Sequence, residues 1–179
     1  MKKFFALLLC LAALFAFVAC DEKNEKEPDD DKGASSGGEK SSINYYVEYK
    51  GTKISLGADA DSVLNALGTP VSSDDLGDCG GIGTQTKYTY SDSVVIYVVD
   101  RGNKKVIDGV LLNSDAVLSP EKVGVGSTKD EVIKACGKGY SKLTETQISY
   151  SSGHKSAIFS LRDGAVVKVE YQLDSDWYN

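Results

Sequence analysis

The chain has 179 residues, 41% of them hydrophobic, with 20 Lys+Arg against 26 Asp+Glu and a formal net charge of −6. That composition suits a globular domain and lacks any basic stripe that could track a phosphate backbone, so no nucleic-acid partner is expected. The amino acids are unevenly distributed, and their order along the chain divides it into three parts.

The first part opens Met1-Lys2-Lys3, continues as an apolar run from Phe4 to Ala19, and reaches Cys20 followed by Asp21-Glu22. Two lysines, an apolar segment too short for a comfortable membrane span, and small Ala19 before the cysteine predict a signal peptide over residues 1–19. Phe17-Val18-Ala19-Cys20 resembles the lipobox of bacterial lipoproteins, which implies that Cys20 is lipidated, with palmitate among its acyl chains, and becomes the first mature residue. Phe17 departs from the aliphatic residue usual at its position. Each buried CH₂ contributes about 0.8 kcal/mol, so two or more acyl chains hold a protein stably on a bilayer. The expected location is the extracytoplasmic face of the cell membrane.

Residues 20–42 form the second part. After Cys20 they contain one apolar residue, Ala34, against eight acids and four lysines. Such a segment buries too little apolar surface to offset its ordering entropy, and it is read as a disordered tether spanning on the order of 25 Å.

The third part, residues 43–179, is long enough for one domain. It carries 14 Lys+Arg against 18 Asp+Glu once the six lysines and eight acids before Ile43 are set aside. Within it the chain repeats itself. Ile54 to Gly68 aligns without a gap on Val123 to Gly137, placing Gly57 on Gly126, Asp61 on Asp130, Val63 on Val132, Ala66 on Ala135 and Gly68 on Gly137. Self-similarity at a fixed period marks a duplicated unit. Repeat one covers about residues 52–115 and repeat two about residues 121–175. Each copy predicts a short strand, a glycine turn, a helix of about nine residues and a glycine stop. Asp59 and Thr128 are the predicted N-caps, with Glu131 completing a capping box.

Three strands are predicted after each helix. In the first copy they are residues 87–91, 94–100 and 105–112; in the second, 147–150, 156–162 and 165–173. Turns fall at Ser91-Asp92, Gly102-Asn103, Gly153-His154 and Asp163-Gly164. In the last strand Val167, Val169, Tyr171 and Leu173 alternate with Lys168, Glu170 and Gln172, which predicts an antiparallel sheet with one wet face. The expected fold is α+β: two tandem α-β-β-β repeats forming an antiparallel sheet, with short helices packed on one face.

The Gly57 to Pro70 pattern, followed by a Cys79-Gly80 loop, the Tyr88-Thr89-Tyr90 strand and a hairpin, resembles the β-lactamase-inhibitor-protein-like (BLIP-like) fold. It is similar also to the small lipoproteins of the outer-membrane barrel-assembly machine (SmpA/OmlA-like). Tandem-repeat lipoproteins of Gram-positive bacteria share the positions of Cys79, Tyr88, Tyr90 and Gly124-Val125-Gly126. The resemblance covers most of residues 54–173 and implies a fold; no inhibitory contact carries over from it.

Of four cysteines, Cys10 lies in the leader and Cys20 takes the lipid. Cys79 and Cys136 remain, and in an exported domain one pair is read as a disulfide joining the two repeats, worth about 4 kcal/mol by loop closure; two reduced, buried thiols are the alternative. Two cysteines and the single His154 lack the spacing of a tetrahedral site, so no metal and no other cofactor is expected. His154 sits in a turn without a nucleophile elbow, and Gly80-Gly81-Ile82-Gly83 leads into a strand where a phosphate loop would need a helix. Asp74-Asp75, Asp78 and Asp174-Ser175-Asp176 match no calcium loop. No catalytic residue is identified, and the chain is not read as an enzyme.

Ten Tyr against a single Phe and a single Trp in the domain are more telling. Tyr88, Tyr90, Tyr97 and Tyr150 lie on strands and are the candidate contacts for a protein partner, since Tyr joins a large apolar body to a polar tip; ordinary strand packing explains them equally well. The functional expectation is a membrane-anchored, non-catalytic protein-binding module of the cell envelope, with an envelope or secreted partner and inhibition as one outcome. A cell-wall-associated structural or assembly lipoprotein is the alternative, with a small-ligand-binding protein or hydrolase behind it.

Overall fold

The computed structural model describes residues 41–78, 80–91 and 94–179, all within the compact unit Asp31–Asn179. The leader, Cys20, the tether through Lys40, and Cys79 lie outside the described residues. In chain order the elements are β1 (Tyr46–Tyr49), β2 (Thr52–Ser55), α1 (Ala60–Leu67), β3 (Ser72–Asp78), β4 (Thr84–Tyr90), β5 (Val94–Asp100) and β6 (Lys105–Leu112). Then come α2 (Lys129–Cys136), β7 (Lys142–Leu143), β8 (Gln147–Ser152), β9 (Lys155–Arg162), β10 (Ala165–Leu173) and a final 3-10 turn, Ser175–Tyr178. β1 and β2 form a separate hairpin; the other strands build one antiparallel sheet in the order β3-β4-β5-β6-β10-β9-β8-β7. The protein is α+β.

The sheet has one apolar face, and the registers show which residues build it. Tyr90 opposes Val94, Val94 opposes Leu112, Leu112 opposes Val169, Val169 opposes Phe159 and Phe159 opposes Ile148, so one row of bulky side chains crosses six strands. Cross-strand partners share a face and pack directly against one another. All six are buried, and Val47, Ile54, Val63, Leu67, Val132 and Cys136 from the hairpin and the two helices close the same core.

Both helices have eight residues and hold the ends that the sequence assigns to them. Asp59 accepts from Ser62 N, while Thr128 and Glu131 exchange both bonds of a capping box. Gly68 and Gly137 stop the helices at φ 77° and 82°, a region that side-chain-bearing residues avoid. Equivalent bonds recur around them. Gly57 N donates to Ile107 O and Gly126 N to Val166 O, both at 2.8 Å, while Ile107 N returns to Ala58 O and Val166 N to Ser127 O. The start of each helix is thereby stitched to one of the two central strands.

Three details differ from the sequence reading. β10 carries a bulge between Val166 and Lys168, so Val166 is in the core and Val167 is 37% exposed. A strict period of two cannot show this extra residue. Each helix is followed by four strands, not three. β3 escapes the pattern because Ser72-Ser73-Asp74-Asp75-Leu76-Gly77-Asp78 has no apolar face; it is an edge strand exposed throughout, and its carboxylates blunt that edge against pairing with another chain. β7 escapes because it is two residues long.

Candidate functional site

The sheet's other face is the principal surface left open. Its members follow from the same registers: Lys87 opposes Tyr97, Val95 opposes Leu111, Leu111 opposes Glu170, Glu170 opposes Ile158, and Ile158 opposes Ser149. Tyr97, Leu111 and Ile158 are half-buried at its centre. Tyr97 lies across Gly109, its Cδ2 3.5 Å from where a Cβ on that glycine would stand. A glycine in a central strand thus gives the ring a flat seat. Lys87 pairs with Asp74 at 3.3 Å on the β3–β4 side, and Lys168 pairs with Glu170 at 2.8 Å within the patch, where Glu170 stands between Leu111 and Ile158. On the β8 side Ser141, Ser151 and Ser156 join their hydroxyls at 3.1 and 3.0 Å. Half-buried apolar side chains interleaved with ion pairs and hydroxyls make a mixed surface of the kind found at polar protein interfaces.

The four candidate tyrosines are not brought together. Tyr97 belongs to the open face. Tyr88 opposes Ile96 on the core side and is half-buried against the core. Tyr90 and Tyr150 are 2% and 0% exposed, so their reading as partner contacts is corrected: they are core residues with a specific task. Tyr90 donates its hydroxyl to Gly68 O at 3.1 Å and Tyr150 donates to Gly137 O at 2.8 Å. Each ties down the glycine that ends a helix. Burial pushes both phenols above their ordinary range. Each tyrosine lies on the second strand after its helix, 22 residues past Gly68 for Tyr90 and 13 past Gly137 for Tyr150, and the unequal spacing hides the correspondence in the sequence.

Cys136 is a free thiol, wholly buried at the end of α2. Burial, with the Glu121 carboxylate adding to it, pushes its pKa up to about 12. The described residues on either side of Cys79, Asp78 and Gly80, are exposed.

His154 sits in the β8–β9 turn with Nδ1 3.0 Å from Asp174 Oδ1. That carboxylate also accepts from Trp177 N and so caps the 3-10 turn. Asp108, at the bulge of β6, is the other partly buried acid of note. It receives Gln85 Nε2 at 2.7 Å and Tyr178 Oη at 2.6 Å. Burial raises its pKa while both hydrogen bonds oppose the rise. The phenol of Tyr178 in turn pins the chain's end to β6. Asp74, Asp75 and Asp78 are spread along β3, and among the described residues no group of three or more His, Cys, Asp or Glu could hold a metal ion. Among the same residues no helix is long and apolar enough to cross a membrane.

No protein family matches the chain, and no curated protein matches it. Among solved structures it is similar to an extracellular protein containing an SCP domain from Bacillus anthracis str. Ames, at 17% identity and a TM-score of 0.41, over 85% of this chain and 50% of that one. The chain thus spans about half the length of that protein.

Proposed function

We propose that this chain is a lipid-anchored, extracytoplasmic lipoprotein whose domain acts as a non-catalytic protein-binding module of the cell envelope. The observation that carries the reading is the open sheet face, with Tyr97, Leu111 and Ile158 half-buried among ion pairs and serine hydroxyls. Anchoring rests on the sequence of residues 1–20, which resembles a lipoprotein signal, and on the acyl-chain energetics that hold a doubly acylated protein on a bilayer. Inhibition of a bound enzyme is one use of such a surface, and a fold of this kind is compatible with many others.

The domain is, in this reading, a tandem duplication resembling the BLIP-like fold. Its support is the paired set of contacts: the two stitched helix starts, the two glycine stops, and the two tyrosine hydroxyls that hold those glycines. The two copies then meet at the β6–β10 pairing in the middle of the sheet.

Affinity capture from detergent-solubilised envelope, comparing the wild type with Tyr97→Ala/Leu111→Ser, tests the binding function. A defined protein retained by the wild type and lost in the folded variant is expected. Retention of the chain on purified cell wall, with no protein captured, would replace this reading with the wall-associated one. For the anchor, Cys20→Ala should abolish metabolic lipid labelling, and unchanged labelling would reject the assignment.

A further inference from the structure

We propose that the cleft between the β1–β2 hairpin and the connection that follows β6 binds an extended, acidic segment of a protein partner, with carboxylates beside apolar side chains. The proposal rests on the reading of the chain as a protein-binding module and gives it a second contact surface, separate from the open sheet face.

The cleft has a volume of about 680 Å³, within the range of sites that enclose ligands. The hairpin contributes Tyr46 and Tyr49 to its lining, and the connection contributes Val117, Leu118 and Pro120. Leu118 is 43% exposed, one of four large apolar side chains among the described residues left so open to water. Tyr49 Oη lies 3.3 Å from Ser91 Oγ, tying β1 to the end of β4 at the cleft's margin.

Its backbone is unusual. Four non-glycine residues among those described have positive φ, and three of them line this cleft: Lys50 at 49°, Ser91 at 55° and Lys122 at 65°. The fourth, Asp163, belongs to the two-residue β9–β10 turn, where such a conformation is ordinary. Lys50 also stands in a two-residue turn, between Tyr49 and Thr52, at a position that favours Asn, Asp or Gly, and Ser91 stands in the connection between the paired strands β4 and β5. Lys122 closes a turn by donating its N–H to Ser119 O at 2.9 Å. Left-handed backbone is unfavourable for a residue with a Cβ, and it concentrates where a ligand is clamped. Both lysines are exposed at the cleft.

Charge and edge geometry identify the occupant. Neither Lys50 nor Lys122 forms an ion pair among the described residues. Glu48 is the single acid among the described residues of the lining. In a chain of net charge −6, two cations without an ion pair among the described residues, Lys50 with its Nζ 5.3 Å over the Tyr49 ring, favour a partner carrying carboxylates. Among the described residues the cleft is bordered by β1 and by none of β2, and β1 has no other strand partner. It therefore runs along a free strand edge, whose backbone donors and acceptors suit an added extended segment.

The test uses the full chain in detergent micelles and two acetylated, amidated seven-residue peptides, one alternating glutamate with valine and the other alternating lysine with valine. Fluorescence anisotropy to about 1 mM peptide covers the range of weak recognition. Expected are saturable binding of the glutamate peptide, at least tenfold tighter than the lysine peptide, and slowed amide exchange at Tyr46–Lys50. In Lys50→Gln/Lys122→Gln the affinity should fall at least tenfold with Tm unchanged. No saturable binding, equal binding of both peptides, or protection only elsewhere would overturn the proposal. Envelope capture separates the two readings. A partner lost in Tyr97→Ala/Leu111→Ser yet retained at full strength by Lys50→Gln/Lys122→Gln keeps the binding module and removes the cleft. Peptide binding as expected with no captured partner keeps the cleft and removes the envelope-partner reading.

Discussion

Replacing Tyr150 by Phe removes one oxygen and leaves the ring in place, edge-on to Phe159 at 6.3 Å between centroids. The lost interaction is the 2.8 Å bond to Gly137 O. A net hydrogen bond contributes about 0.5–1.5 kcal/mol, and a carbonyl left without a partner costs about 1–3 kcal/mol when water cannot reach it. Gly137 is half-buried, so Tyr150→Phe should destabilise the domain by about 1.5 kcal/mol. Tyr90→Phe breaks the matching 3.1 Å bond to Gly68 O, but Gly68 is exposed and water replaces the hydroxyl. Its cost should be about 0.5 kcal/mol. Urea denaturation followed by circular dichroism resolves the two. With a slope of about 2 kcal/mol/M, the midpoint should fall by about 0.75 M for Tyr150→Phe and by about 0.25 M for Tyr90→Phe, at constant slope. The double variant should be additive, because the two bonds share no partner. An unchanged midpoint in Tyr150→Phe, or a larger loss in Tyr90→Phe, would refute the reasoning that these hydroxyls hold the helix stops. A loss of partner capture at unchanged stability would restore Tyr150 as a contact residue.

Thr128→Ala removes the N-cap oxygen of α2 and should lower stability by about 1 kcal/mol, read as a lower Tm in calorimetry; an unchanged Tm would reject the cap's contribution. The bonds that Glu131 accepts from Thr128 N and then Thr128 Oγ1 lower its pKa. Its stabilisation is therefore complete above the unfolded-state value and disappears as the pH falls through the folded one. Glu131→Gln should accordingly show its largest Tm deficit near neutrality and none in strong acid, and a deficit growing on acidification would contradict the sign. The Cys136 thiol, with its pKa pushed up to about 12, should resist alkylation at pH 8 until the domain unfolds. Peptide mapping that finds Cys136 alkylated in the native state, or bonded to Cys79, would overturn that expectation. Gly83 has φ 132°, and a Cβ there would collide with Asp100 O; Gly83→Ala should cost about 2 kcal/mol or more, and a wild-type Tm would show that the β3–β4 turn yields instead.

The chain by itself settled what depends on short-range chemistry. The caps at Asp59, Thr128 and Glu131, the glycine stops at Gly68 and Gly137, the runs Val94–Asp100 and Lys105–Leu112, and the α+β class all follow from residues within a few positions of one another. The Asp163-Gly164 turn was equally legible, because a two-residue hairpin needs positive φ at both positions and these residues tolerate it. Tertiary structure decided the rest. It turned Tyr90 and Tyr150 inward and left Tyr97 on the open face, although all three are strand tyrosines. The face a residue takes depends on strand register, and one bulge, as at Val167, reverses the alternation that follows it. It made an edge strand of the acidic Ser72–Asp78 segment, which pairs through its backbone without presenting an apolar face. It also set Lys50, Ser91 and Lys122 around one cleft. Their sequence separation hides that grouping, because only chain folding brings a hairpin turn, a strand end and a distant connection to the same place.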